Sequence, residues 1–85
     1  MTAITLPARG VAIDWFRVIV DLERAGWSQA RVAQHVGRSQ NWVFNLKSIP
    51  GTDPKLSDGL MVLGLWVEVT GRDSSTTPLE TIGKL

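Results

Sequence analysis

The sequence predicts an all-α fold of four helices, and three observations carry that expectation. Apolar residues recur at the three- and four-residue spacing of a helix face in successive stretches. Capping residues stand before the first three stretches, at Asp14, Ser28 and Ser39, and glycines stand where helices should stop, at Gly26, Gly37 and Gly71. The one long break, Ser48 to Pro54, holds two prolines and a glycine and reads as a loop.

Each element can be justified in order. Residues 1 to 13 contain Pro7 and Gly10 without a helical period and read as an extended arm. Asp14 caps the first helix, whose Trp15, Val18, Ile19, Leu22 and Ala25 share one face, and Gly26 supplies a left-handed end. Ser28 caps a short second helix, Gln29 to Val36, with Val32, Ala33 and Val36 inward and Gly37 closing it. Ser39 caps the third, about Gln40 to Lys47, anchored by Val43 and Leu46.

The fourth helix is expected to be capped by Ser57 or Asp53, to carry Leu60, Met61, Leu63, Leu65, Trp66 and Val69, and to end near Gly71. It is apolar on nearly every side, as a helix buried on all faces would be. In so small a domain one face packs inward, so Leu60, Leu63, Trp66 and Val67 are expected to meet a second copy in a homodimer. A β-strand is the competing reading, because Val62, Val67 and Val69 favour one. Residues 72 to 85 read as a flexible tail, which leaves residues 14 to 71 as the folded domain.

Composition narrows the function classes. With 85 residues, 44% hydrophobic and 20% charged, the chain is one ordinary globular domain. A folded part of roughly 60 residues buries only a marginal core, which also favours dimerisation. The absence of cysteine excludes disulfides, thiolate zinc sites and cysteine nucleophiles. His35 is the sole histidine, so neither a metal site nor a catalytic triad can be assembled, and no cofactor or small-molecule ligand is expected. The expectation is a non-enzymatic protein. The first residues lack a basic start followed by an apolar run, and the longest apolar stretch, Leu60 to Val67, is far shorter than the about 20 residues a bilayer requires. A cytoplasmic protein without membrane attachment is expected.

The net charge of +1 is unevenly distributed. From Arg24 to Leu56, Arg24, Arg31, Arg38, Lys47 and Lys55 stand against Asp53 alone, leaving +4; elsewhere four basic residues meet seven acids, leaving −3. A basic middle between acidic flanks fits either a local contact with a polyanion or a plain solvated face.

The segment Gln29 to Leu46 reads Gln-Ala-Arg-Val-Ala-Gln-His-Val-Gly-Arg-Ser-Gln-Asn-Trp-Val-Phe-Asn-Leu. Ala33 is small where two helices must cross closely, Val32 and Val36 face the core, Gly37 suits a positive φ at a tight turn, and Ser39 caps the helix that Val43 and Leu46 anchor. This pattern resembles the helix-turn-helix of the lambda-repressor-like (Cro-type) family, common among phage repressors. Downstream, Pro54, Gly59, Leu60 and Leu63 are similar to a pattern of small phage-type regulators with this domain. The likeness covers about residues 14 to 70. It implies a four-helix DNA-binding domain and a sequence-specific transcriptional regulator, a repressor, bound to double-stranded DNA on the nucleoid.

Candidate contacts follow from position. With Val43 and Leu46 inward, the roughly 100° step per residue turns Asn41 and Asn45 outward, and Gln40 lies in the first turn of the recognition helix. The resemblance places base reading at Gln40, Asn41 and Asn45, and amides form bidentate pairs with adenine N6 and N7. Arg31, Arg38 and Lys47 are candidate phosphate contacts, with Ser28, Gln29 and Ser39 at helix N-termini. Trp42 could donate to a phosphate and Phe44 could touch a thymine methyl, or either could belong to the core. Phe44 stands where the family usually has a small or polar residue. Arg9 in the arm could reach DNA or be solvated. Two rivals remain: a DNA-bending accessory protein of the excisionase type, which usually carries a winged β-hairpin, and a protein-interaction module such as an antirepressor, using the apolar fourth helix.

Overall fold

A computed structural model describes residues 11–72 and 76–81. The chain is mostly helical, with α1 (Trp15–Arg24), α2 (Gln29–Val36), α3 (Gln40–Ser48) and α4 (Leu56–Thr70). Two short strands, β1 (Val11–Ile13) and β2 (Leu79–Thr81), join the ends of this helical unit as an antiparallel pair. No described helix is long and apolar enough to cross a membrane.

The helix ends follow local chemistry. Asp14 Oδ1 accepts from the Arg17 amide at 3.2 Å, Ser28 Oγ from Arg31 at 3.2 Å and Ser39 Oγ from Trp42 at 3.1 Å. Each cap satisfies one of the donors that a helix start leaves unpaired. At the far end of α1 the Trp27 and Gly26 amides donate back to the carbonyls of Leu22 and Glu23, with Gly26 at φ +95°. That reversal brings Trp27 down beside the core. Gly37 takes φ +82° and lets the Arg38 amide reach the Ala33 carbonyl, so α3 can leave at a sharp angle.

The expected caps of α4 require correction. Helix α4 begins at Leu56, the cap position is Lys55, and no side chain bonds to the helix start. Ser57 already lies inside the first turn, and Asp53 stands beyond Pro54. The acidic residue in the first turn, Asp58, instead places negative charge near the free amides.

All four helices contribute to one core: Val18, Ile19 and Leu22; Val32 and Ala33; Val43 and Leu46; Val62, Leu63, Leu65 and Trp66. Trp66 is wholly buried, and its indole nitrogen donates to Asp21 Oδ2 at 3.0 Å. This bond satisfies the one polar atom of the largest core side chain and ties α4 to α1. Gly59 packs beside Trp15 and Pro54: a β-carbon there would stand 3.4 Å from the indole ring, at ordinary van der Waals contact. The helical reading of the apolar segment therefore holds over the strand reading.

Two of the expected dimer contacts are corrected by this packing. Leu63 and Trp66 are 2% and 0% exposed inside a single chain, so neither is available to a second copy. Val67 is half-buried, and Leu60 faces solvent together with Leu56 and Met61. The sequence could not divide these positions, because nearly all are apolar.

The arm and tail also differ from expectation. Residues Val11, Ala12 and Ile13 pair with Thr81, Glu80 and Leu79, the Asp14 amide donates to the Pro78 carbonyl at 2.8 Å, and Thr77 is buried. The end of the arm and part of the tail are thus fastened to each other and to the start of α1. The rest of the arm, including Arg9, and residues 73–75 and 82–85 lie outside the described residues.

Two stability outcomes follow. Removing the Trp66 acceptor by Asp21→Ala should lower unfolding free energy by about 1.5–3 kcal/mol, and Asp21→Asn, which keeps an acceptor oxygen, should lose less. Chemical denaturation of the three proteins measures both. Among glycines, Gly64→Ala should stabilise by about 0.5–1 kcal/mol, since a β-carbon there meets nothing within 4 Å in a helix interior. Gly37→Ala, also in open space but at φ +82°, should cost about 1–2 kcal/mol. Equal effects at the two glycines, in the same denaturation assay, would show that the turn is misplaced.

Candidate nucleic-acid interface

Helices α2 and α3 pack against each other around the Gly37 turn, with Ala33, 3% exposed, at their contact with the core. The buried side of α3 consists of Val43 and Leu46, with Trp42 half-buried beside them. The remaining arc faces solvent and carries Gln40, Asn41, Phe44 and Ser48. At about 100° per residue, Phe44 falls near the middle of that arc, between Gln40 and Asn41.

The expected base-reading residues are thus not equivalent. Gln40 and Asn41 are fully presented, whereas Asn45 is half-buried at the border of the arc. Asn45 lies where α3 turns into the loop, and its carbonyl accepts from the Ile49 amide at 2.9 Å. Phe44 is 52% exposed, which removes it from the core. For Trp42 the packing against the core is the one present, though its indole N–H has no hydrogen-bond partner among the described residues.

The basic residues divide more sharply. Arg31 extends along α2 with its guanidinium 4.2 Å from the centre of the Trp27 ring, and His35 meets that ring edge-on at 6.1 Å. Stacking on an indole fixes the guanidinium plane without neutralising its charge. Arg31 has no carboxylate partner among the described residues, so it remains a cation able to meet a phosphate.

Arg38 and Lys47 differ from the sequence expectation. Arg38 donates through Nη2 and Nε to Asp58 Oδ2 at 2.7 and 3.1 Å, fastening the turn between α2 and α3 to the first turn of α4. Lys47 Nζ lies 2.9 Å from Glu23 Oε1 and over the Phe16 ring, and that oxygen gains no further hydrogen bond. Both cations are paired with a carboxylate of the same chain, Arg38 at 40% exposure, and the pairs link α3 and the turn before it to α4 and α1. Ser28 and Ser39 likewise spend their hydroxyls on helix capping, and Gln29 is half-buried beside the first of them.

Sequence reasoning missed these partners because 20 residues separate Arg38 from Asp58, and only the fold brings them together. It also missed Phe16 and Ile49, 54% and 53% exposed, which border a shallow cleft of about 220 Å³ between the start of α1 and the loop after α3. Neither belongs to a motif, and an exposed apolar residue leaves no signature in the helical period.

No family model, curated protein or solved structure matches this chain. Its functional reading therefore rests on the residues themselves.

The Arg38–Asp58 brace is testable by a double-mutant cycle. Because Arg38 is 40% exposed, the pair should show a coupling of only about 0.5–1 kcal/mol between Arg38→Ala and Asp58→Ala in denaturant unfolding. Strict additivity would mean that the pair contributes nothing to holding the turn.

Proposed function

We propose that the protein is a sequence-specific double-stranded-DNA-binding transcriptional regulator of the lambda-repressor-like kind, a repressor that lays α3 in the major groove. The observation that carries this reading is the exposed arc of α3. A capped helix, held from behind by Val43 and Leu46 and joined to α2 through a glycine turn, presents Gln40 and Asn41 outward. Amides at the first turn of such a helix match the donor and acceptor of an adenine edge. Arg31, stacked on Trp27 on the neighbouring helix, supplies a phosphate contact. A regulator of this kind works in the cytoplasm, on the nucleoid.

The excisionase type of accessory protein is less well supported. Its wing is a hairpin of consecutive strands, whereas β1 and β2 lie on either side of the whole helical unit. The antirepressor reading draws on one specific observation, the exposed Leu56, Leu60 and Met61 of α4. We assign those side chains instead to the contact between two copies of this chain, with Leu60 and the border residue Val67 retained from the sequence reading. A two-fold pair would set two recognition helices roughly 34 Å apart, one turn of B-DNA, on a palindromic site.

Selection of bound duplexes from a random pool, followed by mobility shifts, tests the reading. On the selected site Gln40→Ala and Asn41→Ala should each cost about 1–3 kcal/mol, with little change on random DNA. Arg31→Ala should weaken both alike and reduce the slope of log K against log salt by about 1. A protein that retards no duplex at low salt is not a DNA-binding protein. Sedimentation at tens of micromolar reports the assembly: Leu60→Glu should shift dimer to monomer, and a wild-type monomer both free and on DNA rejects the pair.

A further inference from the structure

We propose that Phe44 is a specificity-determining residue that selects a C5-methyl pyrimidine, a thymine, in the major groove; this rests on the DNA-binding reading of α3. Phe44 lies near the middle of the exposed arc, 52% exposed, with Gln40, Asn41 and Ser48 around it. The ring cannot retreat inward. Val43 and Leu46 occupy the buried side of the same helix at 0% and 2% exposure, and the Ser39 cap fixes where the helix begins. Any surface that covers α3 must therefore take a phenyl ring at its centre.

The chemistry of the major groove decides what that surface can offer. Guanine presents N7 and O6, cytosine an amino group and adenine N7 with an amino group, all of which need a hydrogen-bond partner when water leaves. A phenyl ring provides none, so it gains nothing from these groups, or from the O4 of thymine, on any base pair. Thymine alone among the four bases offers an apolar group, its C5 methyl. Phe44 thus selects by attraction to the methyl.

The neighbours agree with this choice. Gln40 stands one helical turn before Phe44, about 6 Å along the axis and roughly two base-pair steps if α3 follows the groove. Its amide favours adenine, so the arc as a whole reads A·T pairs, hydrogen-bonding the purine at one step and touching the pyrimidine methyl near it. A 5-methylcytosine carries the same methyl on a G·C pair, so it isolates the methyl from the rest of the A·T edge.

Uracil substitution tests the proposal directly. In a duplex selected by the full chain, each thymine is replaced in turn by deoxyuridine, which removes one methyl and leaves every hydrogen-bonding group in place. One position should weaken wild-type binding about fourfold, the worth of one buried methyl group. Phe44→Ala, with unchanged melting temperature, should bind the thymine duplex more weakly and be indifferent to uracil there. Asn41→Ala should keep the uracil sensitivity. At that position 5-methylcytosine opposite guanine should bind wild type about fourfold more tightly than cytosine does, and Phe44→Ala should not distinguish the two; no gain from the methyl overturns the methyl contact. Uracil sensitivity that persists in Phe44→Ala, or is absent from the wild type, overturns the role of Phe44 while leaving DNA binding standing. Failure to retard any duplex overturns the DNA-binding reading itself, and this inference with it.

Discussion

Burying Trp66 is the constraint from which the arrangement follows. An indole is the largest side chain in this core, and its N–H must find an acceptor once water is excluded. Asp21 provides that acceptor from the half-buried flank of α1, at 3.0 Å. The bond ties α4 to α1 near one end of their contact, and Gly59 packs beside Trp15 about two turns earlier on α4. Helices α2 and α3 then fill what remains, with Val32, Ala33, Val43 and Leu46 closing the core. The outward arc of α3 is a consequence of that closure: once Val43 and Leu46 are committed inward, Gln40, Asn41 and Phe44 have nowhere to point except solvent.

What could be read in the sequence was local. Asp14, Ser28 and Ser39 cap helices because their oxygens reach an amide three residues away, and Gly26, Gly37 and Gly71 end helices because their backbones take positive φ. Such features are decided within one turn of chain. What could not be read was non-local. The pairing of Val11–Ile13 with Leu79–Thr81 joins opposite ends of the chain, and three-residue strands are too short to show an alternating pattern. Helix α4 is apolar around its circumference, so its period cannot distinguish Leu63 and Trp66, which are buried, from Leu60 and Met61, which are not. At the candidate interface, outward position was legible for Gln40 and Asn41, but the half-burial of Asn45 came from the turn that follows α3.

The ion pairs change the meaning of the basic middle segment. Counted along the chain, residues 24 to 56 carry +4, but Glu23 and Asp58 flank that window and the fold returns them to Lys47 and Arg38. Including these two acids halves the local excess to +2. Two of the three cations that sequence reasoning assigns to phosphate contact, Arg38 and Lys47, instead tie α3 and the turn before it to α4 and α1. A brace of this sort has a functional use even though a half-exposed ion pair adds little stability. Under the DNA-binding proposal, α3 must hold its side chains in a defined geometry, and the Arg38 and Lys47 pairs tie it and the turn before it to α4 and α1.

That trade has a consequence for how such a surface can bind. Phosphate neutralisation supplies most of the sequence-independent affinity of DNA-binding proteins, and among the described residues Arg38 and Lys47 are held in ion pairs whereas Arg17, Arg24, Arg31, Lys55 and Arg72 are not. Under the DNA-binding proposal, the direct contacts of the α3 arc add to that term, and they number only a few per domain. Under the two-copy reading, the second arc on the other half of a palindrome adds its contacts without a second loss of translational freedom. The exposed Leu56, Leu60 and Met61 lie on α4, the helix to which Arg38 fastens the turn before α3. A pairing made through α4 is therefore transmitted to α3 through that brace, so assembly and base reading share one rigid frame. Under that proposal, a helix tied to its neighbours by ion pairs and an uncovered apolar face on α4 are parts of one physical solution: base reading placed in each domain, and affinity raised by their number.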